Sequence, residues 1–455
     1  MPLSRRGFVK AVSSSAAAVT LARAQAAPQP RAGHGRRPSF VFILCDDLGY
    51  GDLACFGHPA IRTPNLDRLA GEGMRLTSCY AAAPVCSPSR AGAMTGRTPM
   101  RCRIPDWIPW DSDVHLKTAE ISVARLLKGV GYATAHVGKW HLNGKFNRPE
   151  QPMPDAHGFD HYFATQNNAH PSHRNPDNFV RNGEPVGPLE GYSSTLIVDE
   201  AIRFVQEETN RPFMLFVWLH ATHEPIATAD EFVRMYAHEA DPERATYMGN
   251  VTQMDFEVGR LLHVLDEMGR RDDTMVMFTS DNGPETLKRY RGAERSHGSP
   301  GPLRGMKLHL YEGGIRVPGI IRYPGSVNPE QVCDEPVINT DILPTYCALA
   351  GAKVPADRAI DGASLVPVFR GRPVKRTLPL YWRYDKAFGG PKVAMRQGDW
   401  KVLARGDLTG VELYNLAEDI GETTDLAQKA PKRLKAMTET LREIHEDVDK
   451  DPVSL

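Results

Sequence analysis

The chain of 455 residues, 41% of them hydrophobic, is long enough for one large domain or for a large domain with a smaller one beside it. Its 55 basic and 55 acidic residues cancel, which excludes a long-range field that would collect nucleic acid or an anionic membrane. A site for an anion must then be built locally, from a few placed cations.

The N-terminus reads as a targeting segment rather than fold material. Ser4-Arg5-Arg6-Gly7-Phe8-Val9-Lys10 is similar to a twin-arginine export signal, and a mild Ala/Val/Leu run follows from Ala11 to Leu21. Ala24-Gln25-Ala26 offers a small-x-small cleavage site. The run is shorter than the roughly 20 apolar residues a permanent span requires. The expectation is a signal peptide over 1–26, a flexible leader rich in Pro, Arg, Ala and Gly over 27–37, and no permanent membrane span. The twin-arginine machinery would carry the folded precursor to the periplasm or beyond.

Ser39-Phe40-Val41-Phe42-Ile43-Leu44, followed by Asp46-Asp47, predicts a buried strand with acids at its C-terminal end. Open α/β sheets place their sites there. Thr63 to Ala70 predicts a capped helix. Ile121 to Lys128 predicts a second, closed by Gly129 and Gly131, and Tyr132 to Val137 a strand. Leu196 to Glu208 predicts a helix, Phe213 to Leu219 a buried strand, Tyr247 to Gly269 a long amphipathic helix and Thr274 to Thr279 a strand that leads to Asp281. The alternation predicts the α/β class, with a largely parallel sheet between helices. Pro-rich residues 366–379 mark a boundary between a large domain over 38–370 and a small α+β domain over 371–455. The small one should hold strands at Leu380–Trp382 and Lys392–Leu403 and a charged helix near Lys432–Asp447.

The seven cysteines are Cys45, Cys55, Cys79, Cys86, Cys102, Cys333 and Cys347. An odd count leaves at least one thiol outside intramolecular disulfides, and no pair has zinc-finger spacing. Cys45, at the end of an apolar run, is expected to be a small buried residue.

Cys86-Ser87-Pro88-Ser89-Arg90, continued by Ala91-Gly92-Ala93-Met94-Thr95-Gly96-Arg97, meets every defining position of C-x-P-S-R-x-x-x-x-T-G-R. In this the chain resembles the formylglycine-dependent sulfatases (arylsulfatase and N-acetylgalactosamine-6-sulfatase-like) of the alkaline phosphatase superfamily. The resemblance implies an alkaline-phosphatase-like sandwich with a smaller C-terminal domain. It also implies that a separate formylglycine-generating enzyme oxidises Cys86 in the unfolded chain. The chemistry needs such a group. A sulfate ester repels nucleophiles, and an aldehyde hydrate carries two hydroxyls on one carbon. One attacks sulfur; the other then loses its proton and expels sulfate by reforming the aldehyde.

Asp46, Asp47, Asp281 and Asn282 are oxygen donors at two predicted strand ends. With an oxygen of residue 86 they suit Ca²⁺ or Mg²⁺ better than Zn²⁺. The resemblance implies these same ligands, and calcium before magnesium. Gly138-Lys139-Trp140-His141 is similar to a family motif in which the lysine binds sulfate and the histidine serves the second hydroxyl. Leu219-His220-Ala221-Thr222-His223-Glu224-Pro225 is similar to a strand-end H-x-P motif, which implies His223 at the leaving oxygen. Thr222 stands where relatives often carry proline, so His220 is a rival. Leu303-Arg304-Gly305-Met306-Lys307 is similar to a segment whose lysine binds sulfate, which implies Lys307. Arg90 would hold the formylglycine and the metal carboxylates. Gln397-Gly398-Asp399-Trp400-Lys401 and Glu412-Leu413-Tyr414-Asn415-Leu416 extend the resemblance into the C-terminal region.

Trp107 and Trp110 flank a Pro-rich loop and either stack on a sugar ring or belong to the core. Arg289 to His297 is either a cationic loop for further sulfates or carboxylates, or solvated surface. The expected reaction is hydrolysis of a sulfate ester of a small molecule or glycan, with a sulfated carbohydrate as substrate. The rivals are phosphonate monoester or phosphodiester hydrolysis, and a non-catalytic sulfoglycan-binding protein.

Overall fold

A computed structural model describes residues 37–285 and 297–451. The signal and leader expected over 1–37 therefore lie, but for Arg37, outside the described residues, as do residues 289–296 of the cationic segment.

The first strand, β1 (Ser39–Cys45), is buried along its whole length. Its side chains alternate between two cores. Phe40, Phe42 and Leu44 enter one, and Val41, Ile43 and Cys45 enter the other. Such a continuous apolar run marks a strand covered on both faces. It lies in an eleven-stranded sheet with β2 (Met74–Tyr80), β3 (Ala133–Lys139), β4 (His161–Thr165), β5 (Val180–Arg181), β6 (Glu184–Pro185), β7 (Phe213–Trp218), β8 (Thr274–Ser280), β9 (Arg316–Arg322), β10 (Gln331–Cys333) and β11 (Val337–Ile338). The order is β10-β2-β9-β8-β1-β7-β3-β4-β5-β6, with β11 beside β2. The block β8-β1-β7-β3-β4 is parallel, while β9 runs antiparallel to both β8 and β2. The sheet is mixed and mostly parallel.

Helices α1 (Pro64–Gly71), α4 (Ser193–Glu207) and α6 (Pro242–Glu267) cover one face, and α2 (Cys86–Thr95), α3 (Val123–Gly129) and α8 (Ile342–Ala350) the other. Two short helices, α5 (Asp230–Arg234) and α7 (Glu312–Ile315), lie in the connections. Local chemistry sets the starts. The Ser122 hydroxyl accepts from Arg125 N–H and caps α3, and Asp241 caps α6 with Pro242 in its first turn. That cap starts α6 five residues before the hydrophobic periodicity at Tyr247 does. Thr63 does not cap α1. Its hydroxyl accepts from Ala54 N–H and donates to Asp67 instead.

The C-terminal part holds an antiparallel sheet of β12 (Leu380–Arg383), β13 (Val393–Gln397), β14 (Trp400–Ala404) and β15 (Glu412–Asn415). The single strand expected over 392–403 is a hairpin, because Gly398 turns the chain at φ +59°. Helix α9 (Pro431–Asp449) presses Met437, Leu441, Ile444 and Val448 onto one face, at helical spacing. The other face packs Trp382, Ala394 and Leu403 against Tyr80, Ala82 and Val85 of the large sheet's margin. None of the seven cysteines forms a disulfide. Among the described residues, no helix is long and apolar enough to cross a membrane.

Candidate active site

Parallel pairing builds the site. Cys45 of β1 stands opposite Ser280 of β8, so Asp46-Asp47 and Asp281-Asn282 leave the sheet side by side. Strands β3 and β7 add Lys139 and the 220–225 turn on the other side of β1. Gly138 makes this approach possible. At φ +104°, a Cβ there would stand 1.9 Å from the Trp218 carbonyl oxygen. Helix α2 starts at Cys86, with all ten of its residues buried, and directs its positive end at residue 86.

The ion pairs are short and buried. Cys86 Sγ lies 3.4 Å from Asp46 Oδ1. Lys139 Nζ lies 2.6 Å from Asp46 Oδ2, and Lys307 Nζ 2.7 Å from the Asp47 carboxylate. Arg90 meets Asp281 Oδ2 through two nitrogens, at 2.9 and 2.7 Å, and donates to the Lys139 carbonyl at 2.9 Å. Its guanidinium also lies 5.1 Å from the Trp218 ring centroid. Asn282 Nδ2 donates to Asp47 Oδ1 at 2.7 Å, while Asn282 Oδ1 is buried with no hydrogen-bond partner.

Three carboxylates, Asp46, Asp47 and Asp281, thus face three cations, Arg90, Lys139 and Lys307, all of them buried. Removal from water is costly unless such charges compensate one another. Burial raises the Asp46 carboxyl pKa, but Lys139, His223, Arg90 and Lys307 outweigh it and hold the group well below its usual range. Burial, with the Asp46 charge beside it, pushes Asp281 up. Burial opposes the charge on Lys307, yet the Asp47 carboxylate holds its pKa above the ordinary value. Burial pushes the Cys86 thiol well above its usual range, against the pull of Lys139 and Lys307. An unmodified Cys86 would be a poor thiolate nucleophile in this setting.

The donor set fits a hard cation. Asp46, Asp47, Cys86 and His223 bring one ligand atom each to within 4.8 Å of one another. The unpartnered Asn282 oxygen adds an acceptor that burial would otherwise penalise. Asp281 adjoins this group but gives its Oδ2 to Arg90.

The histidines separate. His223 Nε2 lies 3.7 Å from Asp47 Oδ2, with its Nδ1 on the Glu224 carbonyl. Burial lowers its pKa to about 4, against the charges of Asp46 and Asp47. His220 lies in the core with its Nε2 on the Thr165 hydroxyl at 2.8 Å and the Asn167 carbonyl at 3.1 Å and its Nδ1 buried without a partner, and it stacks on His173. His141 fixes Nε2 on the Ile108 carbonyl at 3.1 Å and leaves Nδ1 buried without a partner. Burial, then the Lys139 and Arg90 charges, hold it well below the imidazole range.

A cleft of about 500 Å³ opens over Cys86, His141, His223 and Lys307. Its outer half is lined by Asp106, Trp107, Asn167, Asn168, Lys386 and Phe388. The sequence marked only Trp107 of these. The others lie on three loops with no motif, and only their meeting at the cleft mouth singles them out. Trp110 is 61% exposed beneath the Arg148 guanidinium and belongs to neither the core nor the lining. His297, the described end of the cationic segment, pairs with Asp241 at 3.6 Å.

An alkaline-phosphatase-like sheet that gathers three buried carboxylates and three buried cations at its strand ends is the frame of a sulfuric ester hydrolase. The chain matches the Sulfatase family model over residues 38–352 and the model for the N-sulphoglucosamine sulphohydrolase C-terminal region over 306–450, and it belongs to the sulfatase family. It is 33% identical to the steryl-sulfatase of Mus musculus, over 85% of this chain and 73% of that one. It is 35% identical to the N-acetylgalactosamine-6-sulfatase of Sus scrofa, over 83% and 72%. Among solved structures it superposes with a TM-score of 0.82 on Ps i-CgsB in complex with k-i-k-neocarrahexaose, at 29% identity over 92% of this chain and 94% of that one.

Proposed function

We propose that the protein removes sulfate from a sulfated carbohydrate, with formylglycine at position 86 and a divalent cation held by Asp46, Asp47, Asp281, Asn282 and residue 86. The observation that carries this is the balanced set of three buried carboxylates and three buried cations around Cys86. Adding a divalent cation to it leaves an excess of positive charge for the sulfate anion. The names of two similar proteins, an N-acetylgalactosamine-6-sulfatase and Ps i-CgsB in complex with k-i-k-neocarrahexaose, support the carbohydrate assignment. The donor chemistry favours calcium or magnesium.

In this reading, Lys139 and Lys307 hold the sulfate oxygens as charge builds on them. The cation, when bound, neutralises sulfate charge and lowers the pKa of a hydroxyl beside it. The formylglycine hydrate supplies one hydroxyl to attack sulfur and a second to expel sulfate. Arg90 fixes Asp281 and the end of β3. His223, its Nδ1–H held by the Glu224 carbonyl, gives the departing alkoxide oxygen the proton that Nε2 carries in the imidazolium form, and His141 accepts one at its unpartnered Nδ1. The unmodified thiol, with its raised pKa, supports the need for conversion. We further assign residues 1–26 as a twin-arginine signal, with the mature protein outside the cytoplasm. Arg5→Lys with Arg6→Lys should then retain the protein in the cytoplasm, and unchanged export would overturn the assignment.

Mass spectrometry and turnover test the catalytic reading together. The residue-86 peptide of active enzyme should be about 18 Da lighter than the cysteine form. The kcat/KM on a hexose sulfate or 4-nitrophenyl sulfate should exceed that on phenyl phosphonate. A faster phosphonate reaction would place the protein with the phosphorus hydrolases of this superfamily, and no turnover at all would favour a sulfoglycan-binding role.

A further inference from the structure

We propose that Asp106 and Lys386, with Trp107 and Phe388 beside them, form the subsite that reads the ring bearing the sulfate, and that this ring is an uncharged, hydroxyl-rich pyranose rather than an apolar fused-ring alcohol. The inference rests on the hydrolytic reading above. It concerns the outer half of the cleft, which the sulfate chemistry does not use.

Two parts of the chain meet here. Asp106 lies on the loop that follows α2, and Lys386 on the connection between β12 and β13. Lys386 Nζ stands 2.6 Å from Asp106 Oδ2. Asp106 Oδ1 accepts from Trp107 N–H at 2.9 Å and from the Tyr384 hydroxyl at 2.8 Å. That oxygen is saturated and the carboxylate is fixed. Oδ2 retains a lone pair, and the Lys386 ammonium retains two protons after donating to it. A rigid acceptor and a donor therefore sit side by side, the pairing that neighbouring ring hydroxyls require. The Lys386 side chain is 74% exposed and that of Asp106 15%, so a ligand meets them without unfolding anything.

Charge and aromatics narrow the class. Lys386 is compensated by Asp106, so the pair offers hydrogen bonds and no net field. A second sulfate or a carboxylate on the ring would find no uncommitted cation in the pair. Trp107 and Phe388 line the same half of the cleft at 44% and 41% exposure, and an exposed aromatic face suits the C–H face of a pyranose. A fused-ring alcohol would cover the Asp106–Lys386 pair and return no hydrogen bonds, which penalises it strongly.

The test compares leaving groups on the mature enzyme. The substrates are galactose 6-sulfate, N-acetylgalactosamine 6-sulfate, 4-nitrophenyl sulfate and estrone sulfate. Lys386→Met and Asp106→Ala should each lower the ratio of hexose sulfate to 4-nitrophenyl sulfate kcat/KM by about tenfold or more, the worth of a hydrogen bond to a charged group. Most of that loss should appear in KM. Lys386→Met changes an exposed side chain, so it remains a valid test if Asp106→Ala fails to fold. A ratio within twofold of wild type for Lys386→Met would overturn the subsite while leaving the hydrolytic reading intact. So would a wild-type enzyme that prefers estrone sulfate to both hexose sulfates. A wild-type enzyme inactive on all four sulfates would remove the hydrolytic reading and the subsite with it.

Discussion

At one end of α2, Cys86 faces Asp46, and Arg90 one turn further grips Asp281. At the other end, Gly96 closes the helix at φ +69°, and Arg97 is clasped by Glu120 at 3.1 Å, Asp451 at 2.8 Å and the Ala359 carbonyl at 2.6 Å. Both ends are buried and both are charged, yet only the first opens on the cleft. The second ties the helix to Asp451, just past α9, and to the 359–362 segment, whose Asp361 and Gly362 N–H groups donate to the Gly96 carbonyl. One twelve-residue motif therefore holds two devices. In the proposed function the first half supplies reacting groups, and the T-G-R half is a clamp that fixes where those groups point.

The strongest test of this division is Cys86→Ala. Turnover should fall by at least about 10⁴-fold, as expected when a nucleophile is removed, while the thermal midpoint stays near that of wild type. A large drop in the midpoint would erase the difference between the two ends. Chelation should come next. Stripping divalent ions should take away nearly all activity, and calcium or magnesium should restore it better than zinc. Full activity in excess chelator, with no metal detected by elemental analysis, would remove the cation from the catalytic end.

A third test asks which histidine serves that end. His223→Ala should slow a hexose sulfate by about 10²–10⁴-fold, the usual worth of general acid catalysis, and 4-nitrophenyl sulfate far less, because nitrophenol leaves without help. Equal losses on both substrates, with a selective loss for His220→Ala, would transfer the role to His220 despite its core contacts. The smallest effect on turnover belongs to the clamp. Arg97→Ala leaves Glu120 and Asp451 with less compensation and should cost about 3–5 kcal/mol in stability, read as a lower denaturation midpoint. The KM of the remaining folded enzyme should hardly move. An unchanged midpoint with a collapsed kcat would show that Arg97 belongs with the chemistry.

Local sequence carried much of this. The apolar run before Asp46, the strand before Asp281 and the Gly138–His141 segment each announced a strand end with reactive groups, and a parallel sheet gathers such ends on one side. Strands β2 and β9 were harder to read. The first alternates apolar with polar residues and shifts register between Leu76 and Cys79, and the second contains Pro318 and Gly319. The hairpin at Gly398 looked like one strand because apolar and polar residues continue on either side of it. Thr63 had the sequence of a cap, but a hydroxyl takes whichever partner the fold brings nearest.

By itself the sequence determined the class of chemistry. Cys86, Arg90, the paired acids and the two lysines are residue types whose reactivity is intrinsic, set in short motifs whose backbone requirements, such as Gly138, are local. Tertiary structure decided what local order does not carry. It placed β8 beside β1, which brought Asp47 and Asp281 together from 234 residues apart. It separated His223 from His220, two neighbours in one turn, by burying the second among Thr165, Asn167 and His173. It also assembled the outer half of the cleft from loops that share no motif, with Asp106 meeting Lys386 across 280 positions. Hydrogen bonds and ion pairs act over a few ångströms of space whatever the distance along the chain, so these partners could be known only once the chain had folded.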